Sequence, residues 1–239
     1  MRITRVIGFL VVSLASWPQS RPKDVLEMFH RMQSALAGPR IGEVRDLDWT
    51  GIIFVWDRGA QIGKVTRRVR VILPQQFRQE KDMPNGRPTF YFDGTSGWGS
   101  FCNGPVVPLV GKELTLIQDE FAALYFNFES ADALSDYEIV QCAPYTIRLT
   151  RKTDKSRHTE IELDPETWLP RKSGDLCPMD NKQLSGNYSE VLQWRDVDGV
   201  KVEQRTMKYS GNQLMLEVIT TNAKINGGQK VADLAHAPE

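Results

Sequence analysis

Apolar residues recur along this chain with two alternating periods, and the places where the period changes mark its elements. Val25, Leu26, Met28, Phe29, Met32, Ala35 and Leu36 follow the i, i+3, i+4, i+7 spacing of an amphipathic helix, which Gly38-Pro39 ends. After Ile41 the period drops to two. Trp49 to Trp56 and Val65 to Leu73 are rich in β-branched and aromatic residues on either side of Asp57-Arg58-Gly59, which predicts two paired strands. In the second, Val69, Val71 and Leu73 share one face while Arg68 and Arg70 take the other, the pattern of a sheet wet on one side. The first is apolar on both faces, with Ile52 and Phe54 opposing Ile53 and Val55. Its second face therefore calls for cover from the helix, another layer or a ligand.

The same grammar continues. Pro74 to Glu80 and Thr89 to Phe92 read as strands around Met83-Pro84-Asn85-Gly86, and Asp93 to Gly97 as a tight reversal leading into Trp98. Between Gly111 and Phe128 the helical period returns, with Leu114, Ile117, Phe121, Leu124 and Tyr125 on one stripe. From Tyr137 onward the pattern is β again. A hairpin runs from Tyr145 through Thr153-Asp154-Lys155 to Leu163, and Asp164-Pro165-Glu166-Thr167 turns the chain before Trp168. Three antiparallel strands follow: Tyr188 to Arg195, Val200 to Tyr209 and Gln213 to Lys224. Leu176 to Gly186 carries the weakest pattern. With no internal repeat and no Pro- or Ser-rich linker, residues 21–228 read as one domain and residues 229–239 as a loose tail.

The first residues carry a different signal. Arg2 and Arg5 precede an apolar run from Val6 to Leu14, and Ser13-Leu14-Ala15 offers small residues for cleavage, which predicts a signal peptide over residues 1–15 with cleavage as late as residue 20. The run is about half the ~20 residues that a bilayer crossing needs. No cysteine follows it, which argues against a lipid anchor of the bacterial lipoprotein type. An exported protein, not membrane-spanning, is expected.

Charge and reactive residues narrow the function classes. Thirty basic residues balance thirty acidic ones, so no long-range field gathers nucleic acid. Of three cysteines, Cys102, Cys142 and Cys177, an oxidising compartment allows one disulfide, and the sequence does not choose the pair. The three histidines lack metal-site spacing, and His158, Glu160 and Glu162 alternate onto one strand face that reads as solvated; no metal or cofactor is expected. Asp196-Val197-Asp198-Gly199 is a hairpin signal rather than a calcium loop. Gly94-Thr95-Ser96-Gly97-Trp98 breaks the nucleophile-elbow order, and no carboxylate pair stands out, so the reading is non-enzymatic.

Three segments carry a family resemblance: Phe92-Asp93-Gly94-Thr95-Ser96-Gly97-Trp98, Leu163-Asp164-Pro165-Glu166-Thr167-Trp168-Leu169-Pro170, and Tyr188 to Val200 with its Trp194-Arg195-Asp196-Val197-Asp198-Gly199-Val200 end. With the order of helices and strands around them, the chain resembles the periplasmic lipoprotein-carrier (LolA/LolB-like) superfamily and its lipoprotein-sorting-like members. The resemblance implies a mainly β (α+β) fold in which a single strongly curved antiparallel sheet forms a half-open barrel, its concave face covered by helices. It also implies the periplasm of a Gram-negative bacterium, and an apolar cavity for a lipid or the acyl chain of an acylated protein. Met28, Phe29 and Met32 of the first helix, Ile53, Phe54 and Val55 of the doubly apolar strand, and Phe121, Leu124 and Tyr125 of the second helix are the expected ligand-binding residues. Two other classes stand beside this carrier: an envelope interaction or sensor module on the same fold, binding another envelope protein, and a hydrolase.

Overall fold

The computed structural model describes residues 24–102, 104–128, 134–177 and 186–237, less the side chains of 119 and 122–125. The expected signal peptide lies outside them. Helix α1 (Val25–Ala37) starts where the Asp24 carboxylate accepts from the Glu27 N–H at 2.7 Å, and it ends at Gly38, whose φ of 53° is a left-handed conformation that suits glycine. Six strands follow: β1 (Asp46–Asp57), β2 (Ala60–Ile72), β3 (Gln76–Asp82), β4 (Thr89–Phe92), β5 (Gly97–Ser100) and β6 (Val106–Pro108). Helix α2 (Gly111–Phe128) separates them from β7 (Tyr137–Ala143), β8 (Thr146–Arg151), β9 (His158–Leu163), β10 (Pro170–Gly174), β11 (Asn187–Val197), β12 (Val200–Ser210) and β13 (Gln213–Ile225). A short helix, α3 (Val231–Ala235), closes the chain.

All thirteen strands form one antiparallel sheet in the order β6-β5-β4-β3-β2-β1-β13-β12-β11-β10-β9-β8-β7. The two halves of the chain meet in the middle, where β13 pairs with β1. The edges are β6 and β7, consecutive in sequence and unpaired with each other, so the sheet stays open. Eighteen residues of α2 join those edges, a reach of about 27 Å at 1.5 Å per residue. Curvature is helped by a bulge at Thr50/Gly51 against β13. There a Cβ on Gly51 would stand 2.7 Å from the Ile219 carbonyl oxygen, so only glycine allows the approach.

Two aspartates fix the turns that carried the resemblance. Asp93 accepts from the Thr95 and Ser96 N–H groups at 2.9 and 2.8 Å, and Asp164 accepts from those of Glu166 and Thr167 at 3.0 and 2.8 Å. The second turn sends Trp168 inward against Tyr145, with the Arg31 guanidinium of α1 4.8 Å above its ring.

Two clusters make up the core of the concave side. Met28, Phe29, Met32 and Leu36 of α1 pack with Ile147, Leu149, Ile161, Leu163 and Trp168; Ile117 and Phe121 of α2 pack with Val69, Val71, Phe77 and Phe92. The convex face is wet, as the phase of Arg68 and Arg70 requires: Arg68 is bidentate on Asp48 at 3.0 and 2.7 Å, and Arg70 pairs with Glu80 at 3.3 Å. Ile52 and Phe54 point to this side. Both are half-buried, and the Lys64 ammonium of β2 sits 5.9 Å from the Phe54 ring.

Two expectations are corrected. Within the tail, residues 231–235 are not loose: α3 packs on β3 and β4 with Leu234 fully buried, and the buried Arg78 guanidinium donates to the Leu234 carbonyl at 2.8 Å and to that of His236. A buried cation needs acceptors, and the C-terminal backbone supplies them. Nor is the His158-Glu160-Glu162 face solvated throughout. Glu160 has no exposed surface; Arg148 donates to it at 2.6 Å, and the N–H groups of Leu176 and Cys177 donate to its other oxygen. The strap that buries it is tied down by the Cys142–Cys177 disulfide, which settles the pairing and leaves Cys102 free. The sulfurs of Cys142 and Cys177 lie near the Glu160 carboxylate but are bonded to each other, so they do not form a ligand set.

Two predictions follow from these ties. Cys142→Ser, and reduction of the wild type, should each lower unfolding free energy by about 2–4 kcal/mol; urea titrations with and without reductant check this, and unchanged midpoints would refute the clasp. The Asp93 carboxyl, held down to about 2 by hydrogen bonds led by that from the Ser96 backbone, contributes stability that is complete above its unfolded value of 3.8 and fades as pH falls toward 2. Asp93→Ala should therefore cost ~1 kcal/mol at pH 6 and progressively less from pH 4 to pH 2, measured by thermal melts.

Candidate functional site

Side chains directly opposite each other on neighbouring strands share a face, so the register decides what the concave surface presents. Leu47 and Trp49 of β1 stand opposite Val71 and Val69 of β2, and in the same row Arg67 stands opposite Gly51. On β3, Phe77, Gln79 and Lys81 are the partners of Val71, Val69 and Arg67. From the other side come Ser189 and Val191 of β11, opposite Lys208 and Thr206 of β12. Over this surface α2 does not close fully. A cavity of about 570 Å³ remains beneath it, bounded by Trp49, Ile161, Val191, Trp194, Val218 and Ile225 on the sheet and by Leu116, Ile117, Glu120 and Phe128 on the helix. That volume falls within the roughly 300–1,000 Å³ of small-molecule sites. Leu116 and the rim residue Phe101 are exposed.

The cavity is not uniformly apolar. Arg67 pairs with Glu120 at 3.0 Å, and Gln79 donates to the same carboxylate oxygen at 2.9 Å. Burial works to raise the Glu120 pKa, but Arg67, Lys208 and Lys81 outweigh it and hold the carboxyl below its usual range. Lys81 is pushed below the ordinary lysine range, first by burial and then by the Arg67 and Lys208 charges, with Glu120 pulling the other way. Arg67 Nε is buried with no hydrogen-bond partner among the described residues.

Of the nine residues expected to bind ligand, the seven with described side chains are not among those lining this cavity. Met28, Phe29 and Met32 have no exposed surface and fill the half of the concavity under α1, where the sheet meets them closely. Ile53 and Val55 point to the concave side, the first buried and the second half-buried; Phe54 points to the convex side. Phe121 is buried against Phe77 and Phe92, with ring centroids at 6.3 and 5.8 Å. The Leu124 and Tyr125 side chains lie outside the described residues. The sequence did hold a signal for the lining of this cavity: Arg67 shares the phase of Val69 and Val71, and Lys81 that of Phe77 and Gln79, so two cations interrupt an otherwise inward face.

The chain thus forms a single open antiparallel half-barrel, plugged on one half by α1 and roofed on the other by α2. Among solved structures, the chain is similar to a LolA superfamily protein from Nitrosomonas europaea, with a TM-score of 0.59 and 10% identity over 90% of this chain and 99% of that one. A DUF1329 family protein from Desulfovibrio piger gives a TM-score of 0.59 and 9% identity over 90% and 98% of the two chains. An outer membrane lipoprotein-sorting protein domain from Vibrio parahaemolyticus gives 0.57 and 13% over 87% and 95%. No protein-family model and no curated protein matches the sequence. Among the described residues no helix is long and apolar enough to cross a membrane.

The lowered Lys81 pKa means the fold holds this charge less well than water does, a cost present at neutral pH that disappears once lysine is neutral in both states, above about 10.5. Lys81→Met should therefore stabilise the protein at pH 7 by on the order of 1 kcal/mol, read as a raised melting temperature. A lowered one would refute the assignment.

Proposed function

We propose that this is a non-enzymatic carrier of the cell envelope that takes the apolar part of a lipid, or the acyl chain of a lipoprotein, into the space between α2 and the sheet. The observation that carries this reading is the unfilled cavity of about 570 Å³ with Trp49, Trp194, Ile161, Val191 and Val218 on its walls. A folded interior is normally packed to crystal-like density, so a space of this size facing indole and branched aliphatic side chains is suited to an apolar guest. Each methylene buried there contributes about 0.8 kcal/mol, so a ten-carbon segment supplies roughly 8 kcal/mol against the cost of association. The likeness in fold to a LolA superfamily protein supports the same reading, and so does the signal-peptide pattern expected of residues 1–15. Loading and release would use α2, which roofs the cavity and is held on the sheet by Ile117, Phe121 and the Glu120 contacts with Arg67 and Gln79.

Native mass spectrometry of the exported, purified protein, followed by organic extraction, should show a co-purifying lipid. Val218→Trp, which places an indole in the cavity, should cut that occupancy on the order of tenfold while leaving the melting temperature nearly unchanged. An unloaded protein that instead captures an envelope protein would favour the sensor module, and turnover of a generic ester would favour a hydrolase.

A further inference from the structure

The walls of the cavity differ in charge along the strands. On the β1–β2 ladder the rows Leu47–Val71 and Trp49–Val69 are apolar, and the next row inward on the same face is Gly51–Arg67. Arg67 is itself the direct cross-strand partner of Lys81 on β3. Like charges directly opposite each other destabilise a sheet, so this pair is a cost that the surrounding structure bears. Lys208 of β12 reaches the same region from across the cavity, close enough to act on both Lys81 and Glu120. Three cations thus converge where one carboxylate, Glu120, answers them. Of the other acidic residues lining the cavity, Glu203 accepts a hydrogen bond from the Thr206 hydroxyl at 2.8 Å, and Glu113 lies exposed in the first turn of α2. The Arg67 side chain is only 12% exposed, and its Nε–H has no partner among the described residues.

We infer that the guest is an amphiphile with an anionic head, a carboxylate or a phosphate, and that Arg67, Lys81 and Lys208 receive that head while the tail lies along Trp49, Ile225 and Trp194. This rests on the cavity being the ligand site. The arrangement suits such a molecule because an anionic headgroup oxygen accepts an N–H more strongly than a neutral hydroxyl does, and only a negative charge relieves the Arg67–Lys81 repulsion. Glu120, which these cations face, lies one helical turn from the exposed Leu116, so the head would stay near the rim as the tail is buried.

The test uses the intact protein and the fluorescence of its tryptophans, backed by calorimetry, with four probes: decanoate, decanol, acetate and inorganic phosphate. Decanoate should bind about tenfold or more tightly than decanol, with that advantage shrinking at high salt, and neither acetate nor phosphate should bind at comparable concentration. In Lys81→Met/Lys208→Met the decanoate preference should vanish while decanol binding persists, which also shows that the variant is folded. Equal affinity for decanoate and decanol in the wild type would overturn the headgroup assignment and leave the apolar site standing. Acetate or phosphate binding as tightly as decanoate would overturn it in favour of a free-anion site. If neither ten-carbon probe binds, the carrier reading fails as well.

Discussion

The structure depends on one topological constraint: the two edges of the sheet, β6 and β7, are neighbours in sequence but not in hydrogen bonding. A sheet that curls this far without closing has a concave face that water must be kept from and a gap that the chain itself must cross. Helix α2 makes that crossing, and its position over the concavity is therefore set by connectivity before any side chain is considered. Had β6 and β7 paired, the barrel would have closed and the helix would have had no opening to span.

The two helices treat the concave face differently. Helix α1 presents Met28, Phe29, Met32 and Leu36 to β8 and β9 and packs closely on them, with all four essentially without exposure. Helix α2 docks through Ile117 and Phe121 on the Val69-Val71-Phe77-Phe92 surface but leaves the middle of the concavity empty. The difference follows from what the sheet offers each helix. Under α1 the inward residues are Ile147, Leu149, Ile161 and Leu163, whereas under α2 the inward rows include Arg67, Gln79 and Lys81, which tolerate water or a polar guest and do not invite close apolar packing.

Charge is sorted in the same way across the sheet. On the convex side, cations meet carboxylates nearly one for one: Arg68 with Asp48, Arg70 and Arg78 with Glu80, Arg205 with Glu217, Arg148 with Glu160. Where these groups are buried, as at Arg78 and Glu160, backbone donors or acceptors complete them. Inside the cavity three cations, Arg67, Lys81 and Lys208, share Glu120, an imbalance that is local and invisible to the net charge of the chain, which is zero.

Much of this could be read from the residues alone. Alternation placed Arg68 and Arg70 on the wet face, helical spacing found both long helices, and the Asp-led turns at Asp93 and Asp164 were legible because their geometry is made by residues adjacent in sequence. The candidate binding residues were read from the same periodicity, and period tells which way a side chain points but not what stands above it. Met28 and Trp49 both face the concavity; one meets Leu149 and its neighbours in the core and the other meets open space, and only the path of α2 between distant edges separates the two outcomes. The same holds for Glu160, buried by a strap that Cys177 brings from 17 residues away, and for the tail, ordered because Arg78 needed acceptors. Local physics fixed direction and turn; long-range connectivity decided which inward face became core and which became cavity.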